Sequence, residues 1–132
     1  EKLLSIFRVA PAGIGMVRDR ILLEVNQRIC DMTGYALEEL IGRSALMLYP
    51  TQQDFDYVGK EKYEQIRDKG TGVVETVWKK KDGSIINILL ASTPLVPGNN
   101  SMGVIFTAMD ITDRKTAEAE QKRLQEQLIC VK

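Results

Sequence analysis

Residues 103–114 read Gly103-Val-Ile-Phe-Thr-Ala-Met-Asp-Ile-Thr-Asp-Arg114. The first half is β-branched, aromatic and small, the composition of a buried strand over Val104–Met109. Within three residues the character changes: beyond Thr112 the chain runs Asp-Arg-Lys-Thr-Ala-Glu-Ala-Glu-Gln-Lys-Arg, rich in helix formers and without an apolar run. Thr112 or Asp113 is suited to accept from the free N–H groups of that helix. A core strand therefore feeds an exposed helix, and the junction can carry a state of the core to whatever follows. Asp110 and Arg114 stand four apart across it. They read either as an ion pair fixing the exit angle or as an ordinary surface pair worth roughly 0–1 kcal/mol.

Working outward, Val73–Lys81 and Ile85–Thr93 are two more strands, joined at Lys81-Asp82-Gly83-Ser84, where Asp-Gly suits a two-residue hairpin loop. Pro94–Ser101 reads as a Pro/Gly/Asn loop. Upstream, Ile14–Val17 and Ile21–Val25 form a hairpin about Arg18-Asp19-Arg20. Asn26 caps a helix that Gly34 ends. A second short helix spans Leu37–Ile41, with Leu37, Leu40 and Ile41 on one side. An apolar turn covers Ala45–Tyr49. Thr51, with Asp54 three residues on, starts a helix to about Lys69, with Phe55, Val58, Tyr63 and Ile66 within one face. Leu3, Leu4, Ile6 and Phe7 make an amphipathic lead. Two strands, short helices, three strands and a final helix amount to an α+β fold on an antiparallel sheet. Strands apolar on both faces need cover on both: the helices supply one, and the lead, the exit helix or a second subunit the other.

The chain has 132 residues, 44% hydrophobic, with 18 basic and 18 acidic side chains and no histidine. That suits one domain and speaks against a nucleic-acid partner, which selects for basic excess. Lacking histidine, it has no His-ligated haem and no histidine acid–base chemistry. The two cysteines, Cys30 and Cys130, set no disulfide or zinc spacing. The default location is cytoplasmic. No apolar stretch is long enough for this segment to enter a membrane. The chain reads as a piece of a longer protein, whose membrane anchoring stays open.

Ala10-Pro11-Ala12-Gly13-Ile14, Asn26, Thr33-Gly34-Tyr35 with Glu38-Glu39-Leu40-Ile41-Gly42-Arg43, Lys81-Asp82-Gly83 and Asp110-Ile111-Thr112-Asp113-Arg114-Lys115 resemble, in order, the successive signatures of a PAS domain. The resemblance implies a five-stranded antiparallel sheet, order 2-1-5-4-3, with short helices on one face. It divides the chain into a lead helix (1–12), a PAS core (13–112) and an exit helix (113–132) linking to an output domain. It also implies a signal exit at Asp110, Thr112 and Arg114. Two departures matter. Ala36 stands where the family usually has a Ser or Thr cap. Ser44-Ala45-Leu46-Met47 replaces the Asn-Cys-Arg-Phe stretch of flavin light sensors, so Ala45 removes the adduct-forming cysteine.

By strand alternation and this resemblance, the inward-facing ligand-pocket candidates are Val74, Thr76 and Trp78; Ile86, Ile88 and Leu90; and Val104, Phe106 and Ala108. Ile14, Met16, Leu23 and Val25 join them from the first hairpin, and Ile29, Met32, Leu40 and Leu46 from the helices, with Tyr63 reaching in. Thr76 and the Trp78 indole are the inward polar groups, and no Lys or Arg is among them. The set reads either as a packed core or as a small cavity for an apolar, uncharged or weakly polar ligand. It offers no acid pair or nucleophile for an enzyme. Ala117, Gln121, Leu124, Leu128 and Val131 follow a 3–4 spacing, a short seam for a parallel homodimer or a helix folded back on its sheet. A dimer would bring two Cys130 thiols together. The function expected is a sensory and dimerisation module feeding a histidine kinase or a cyclic-dinucleotide enzyme. The alternative is a ligand-free dimerisation spacer.

Overall fold

The computed structural model describes residues 12–131, the side chains of 100, 101 and 127–131 excepted. The expected lead helix over 1–12 thus falls outside the described residues but for Ala12. The elements are β1 (Gly13–Arg18), β2 (Ile21–Val25), α1 (Gln27–Thr33), α2 (Leu37–Leu40), a 3-10 turn (Ala45–Leu48), α3 (Gln52–Lys69), β3 (Gly72–Lys79), β4 (Ile85–Val96), β5 (Asn99–Asp110) and α4 (Thr112–Val131). The sheet is antiparallel in the order β2-β1-β5-β4-β3. β5, last in sequence, is therefore its central strand.

Local chemistry sets the helix ends. Asn26 Oδ1 accepts from Ile29 N at 3.2 Å, and Gly34 closes α1 at φ 80°. Thr51 Oγ1 accepts from Asp54 N at 3.1 Å, and Gly70 ends α3 at φ 86°. Ala36 provides no side-chain cap for α2, but Glu39 Oε1 accepts from Ala36 N at 2.9 Å. Of the three apolar residues expected on one side of α2, only Leu40 is buried; Leu37 and, just past the helix, Ile41 are exposed.

Two connections differ from expectation. Lys80 N donates to Ser84 O and Gly83 N to Lys80 O, so the β3–β4 loop has three residues, with Gly83 in the left-handed region. The Pro94–Ser101 stretch is hairpin: Val96 pairs with Asn99 around Pro97-Gly98. Proline at the first central position and glycine at positive φ in the second fit a two-residue turn.

The inner face of β1 is made of Gly13, Gly15 and Val17, whereas Ile14 and Met16 are half-buried on the opposite face. The reason is space. A Cβ on Gly13 would overlap Ile29, and one on Gly15 would overlap the Phe106 ring. In β2 the core residues are Leu22 and Val25, and Leu23 turns away. An irregularity after Met16 pairs Gly15 with Val25 but Val17 with Leu22, so both partners face inward despite their odd spacing. Gly15→Ala is expected to lower stability by about 1–2 kcal/mol through overpacking against Phe106, read by urea unfolding.

Candidate functional site

The inner face of the sheet meets the helices in a core of Val74, Trp78, Ile86, Ile88, Leu90, Val104, Phe106 and Ala108 with Ile29, Met32 and Leu40. Thr76 is half-buried, as is Tyr63, which packs against the core. Leu46 is only half-buried; the residues of that turn that enter the core are Ala45 and Leu48.

Within this core lies a cavity of about 20 Å³ lined by Val17, Arg20, Leu22, Ala45, Leu48, Tyr49, Lys62, Trp78, Leu90 and Phe106. That is room for roughly one water-sized group. Trp78 stacks edge-on to Tyr49 and to Phe106, with ring centroids 6.5 and 6.3 Å apart. The core strand β5 thus touches the cavity through Phe106.

Two cations line it, against the expectation that no Lys or Arg points inward. Lys62 is 4% exposed. It occupies the middle of the stripe Phe55, Val58, Lys62, Ile66, which has better helical spacing than the set containing Tyr63. The spacing is legible in the sequence, but a lysine is a residue type rarely found in a core. Burial, and secondarily the Arg20 charge, bring the Lys62 pKa down to about 8. Among the described residues Lys62 enters no ion pair; its ammonium lies 5.1 Å from the Tyr63 ring centroid.

Arg20 is set by the β1–β2 turn, where Asp19 and Arg20 both adopt positive φ, 52° and 63°. Its carbonyl accepts from Ala45 N at 2.8 Å. Its guanidinium donates to Phe55 O at 2.7 Å and lies 3.6 Å from the centroid of the Phe55 ring. Gly59 makes room for it: a side chain there would strike Nη1. Burial raises the Tyr49 pKa, opposed by the neighbouring Trp78 indole and by Arg20. The indole interacts with the Tyr49 hydroxyl, yet its Nε1, fully buried, completes no hydrogen bond.

At the exit, Asp110 and Arg114 are not paired. Asp110 Oδ1 accepts from Thr112 N at 2.9 Å, serving the helix start instead. Thr112 Oγ1 accepts from Asn87 N at 2.9 Å, and Ile111 N donates to Asn87 O at 2.8 Å, which ties the start of α4 to β4. Arg114 Nη2 reaches Glu75 Oε1 on β3 at 2.7 Å, and Lys115 Nζ reaches Glu75 Oε2 at 3.1 Å. Lys115 and then Arg114 hold the Glu75 carboxyl below the usual carboxylate range. The clip is therefore formed above the ordinary glutamate pKa and lost as pH falls through the depressed value. Farther along α4, Ala117, Gln121 and Leu124 are exposed, while the side chains of Leu128 and Val131 fall outside those described.

Residues 1–111 match the PAS fold. The chain belongs to the PAS family. This PAS domain is 30% identical over 129 residues to the sensor protein TdiS of Thauera aromatica, an alignment covering 93% of the chain and 22% of that protein. It is 27% identical over 100 residues to the methyl sulfide methyltransferase-associated sensor of Methanosarcina acetivorans, covering 76% of the chain and 10% of that protein. The chain thus spans about a fifth or less of the length of these curated relatives. Among solved structures it resembles the PAS domain of a LuxR-family transcriptional regulator from Burkholderia thailandensis, in complex with ethanol. The TM-score is 0.76 at 23% identity, over 82% of this chain and 96% of that one. It also resembles a PAS domain from Colwellia psychrerythraea, with a TM-score of 0.77 at 23% identity, over 85% and 96%. No helix among the described residues is long and apolar enough to cross a membrane.

Proposed function

We propose that this PAS domain is a non-catalytic sensory module that relays cavity occupancy to its exit helix, and through it to an output domain of histidine-kinase or cyclic-dinucleotide type. The observation that carries the proposal is continuity: β5 lines the cavity with Phe106 and, four residues later, supplies Asp110 at the start of α4. Both curated relatives are called sensors and are several times longer than the matched segment, which fits a domain that reports to other parts of a chain. The exposed Ala117, Gln121 and Leu124 are then one side of a homodimer seam. The Glu75 clip couples β3 to the same helix start.

Amide hydrogen exchange tests the relay. Glu75→Gln weakens the clip and is expected to speed exchange in the first turns of α4 about two- to fivefold, with sheet amides unchanged. Ala45→Val adds methyl groups to the cavity and should alter the same α4 amides. A folded Ala45→Val domain whose α4 exchange equals wild type would favour the second reading, a ligand-free dimerisation spacer. That reading draws on the cavity's small size.

A further inference from the structure

The cavity lining is rich in donors and poor in acceptors. Lys62 Nζ has no carboxylate partner among the described residues, and the Arg20 guanidinium spends one N–H on Phe55 O. Trp78 Nε1 is buried without a hydrogen bond, on a residue 2% exposed. Against these donors stands the Tyr49 hydroxyl; the other lining side chains, Val17, Leu22, Ala45, Leu48, Leu90 and Phe106, bring no polar atom. Two like charges lining one largely apolar pocket repel each other, and an unused buried N–H is costly. One kind of guest relieves all three: a small acceptor carrying negative charge.

We propose that the cavity is a receptor site for a small organic anion, of the short-chain monocarboxylate class, with its carboxylate held by Lys62, Arg20 and the Trp78 indole N–H and its alkyl end against Leu22, Leu48 and Leu90. This names the ligand class of the sensory reading above and rests on it. It replaces the apolar, uncharged ligand expected from the strands alone. A hydrocarbon would leave the Lys62 ammonium and the Trp78 N–H without an acceptor, and an organic cation would add a third positive charge. The space of about 20 Å³ sets the size: the headgroup fills what is open, and a short tail requires the aliphatic wall to give. The fold holds the donors in position independently of any guest. Arg20 is fixed by its turn, by Phe55 and by the gap at Gly59, and Lys62 by the packed stripe of α3.

The experiment compares sodium propionate with propionamide, its neutral isostere, titrated into the purified 132-residue chain at pH 7 and constant ionic strength, by calorimetry and by the Trp78 indole N–H resonance. Propionate is expected to bind saturably and to shift that resonance, with propionamide about tenfold weaker or worse. Lys62→Met should lose propionate affinity by a similar factor while its circular dichroism stays that of wild type. Equal binding of the two compounds, undiminished propionate binding by Lys62→Met, or no propionate binding by the folded wild type would each overturn the proposal. Propionate binding that leaves α4 exchange unmoved would uphold the site and sink the relay. Propionamide binding that moves α4 while propionate does not bind would do the reverse.

Discussion

Lys62→Met makes the free domain more stable, by about 2–3 kcal/mol at neutral pH. The lysine lies in the core with no carboxylate beside it, and its pKa falls from the ordinary 10.5 to about 8. A tenfold change in proton affinity corresponds to about 1.4 kcal/mol of disfavour for the charged form, so the burial costs roughly 3 kcal/mol. Methionine keeps the length and apolar contacts and removes the charge, and uncompensated buried charges are the kind whose removal stabilises. The lowered pKa also predicts the pH profile. Below pH 8 both folded and unfolded chains carry the Lys62 proton and the whole penalty is present. Between about pH 8 and 10.5 the folded chain has released it while the unfolded chain still binds it, so wild-type stability rises with pH. Burial of Tyr49 and Tyr63 raises their pKa values, so above pH ~10 the unfolded chain loses their protons first and the gain reverses. Urea unfolding of both proteins at pH 7 and pH 9.5 checks this: wild type gains on Lys62→Met as pH rises. A variant less stable than wild type at pH 7, with no alkaline gain in wild type, would show that Lys62 is compensated in the fold.

The opposite extreme is Asn26→Ala, expected to lose about 3 kcal/mol. Asn26 is 1% exposed and every polar atom of its amide is used. Oδ1 accepts from Ile14 N at 3.0 Å and from Ile29 N at 3.2 Å, and Nδ2 donates to Ala12 O at 3.1 Å. One side chain thus caps α1 and fastens the start of β1. Alanine removes the cap, worth about 1 kcal/mol, and strands the Ile14 N–H and the Ala12 carbonyl, at about 1–3 kcal/mol where burial is complete. Asn26→Asp keeps the acceptor for Ile29 N and Ile14 N but sets a carboxylate oxygen against the Ala12 carbonyl in a site 1% exposed, so the cap survives and the loss falls on the Ala12 contact. If the two substitutions prove equally costly by urea unfolding, the contact with Ala12 rather than the cap carries the effect.

Sequence reading captured the features with strong local signals. Asn26, Gly34, Thr51 and Gly70 punctuate helices by backbone chemistry that needs no neighbour, and β3, β4 and β5 alternate cleanly over their inner faces. It failed where a tertiary neighbour decides. Ile14 and Met16 are the apolar residues of β1, but Ile29 and Phe106 leave the inner face room only for glycine. Leu23 follows alternation on paper and loses its place to a change in pairing register. Pro97-Gly98 carries the composition of a loop and the dihedral angles of a tight turn. Asp110 and Arg114 have ion-pair spacing, yet Glu75, distant in sequence, takes the arginine. The cavity's chemistry was hidden for a related reason: Arg20 sits in a turn and Lys62 is charged, and neither type is sought in a core.

The position of β5 also governs how the domain is made. The β1–β2 hairpin and the β3–β4 hairpin touch through β5, which pairs with β1 on one side and β4 on the other. During synthesis both hairpins emerge before β5, each with an unpaired edge, and neither can pair across to the other until the last strand arrives. Such sequence-distant pairing places folding among the slower small domains, on a scale of roughly milliseconds to seconds. The strand that leads into the exit helix is thus also the one that closes the sheet, so α4 gains a folded platform only once the whole core has assembled.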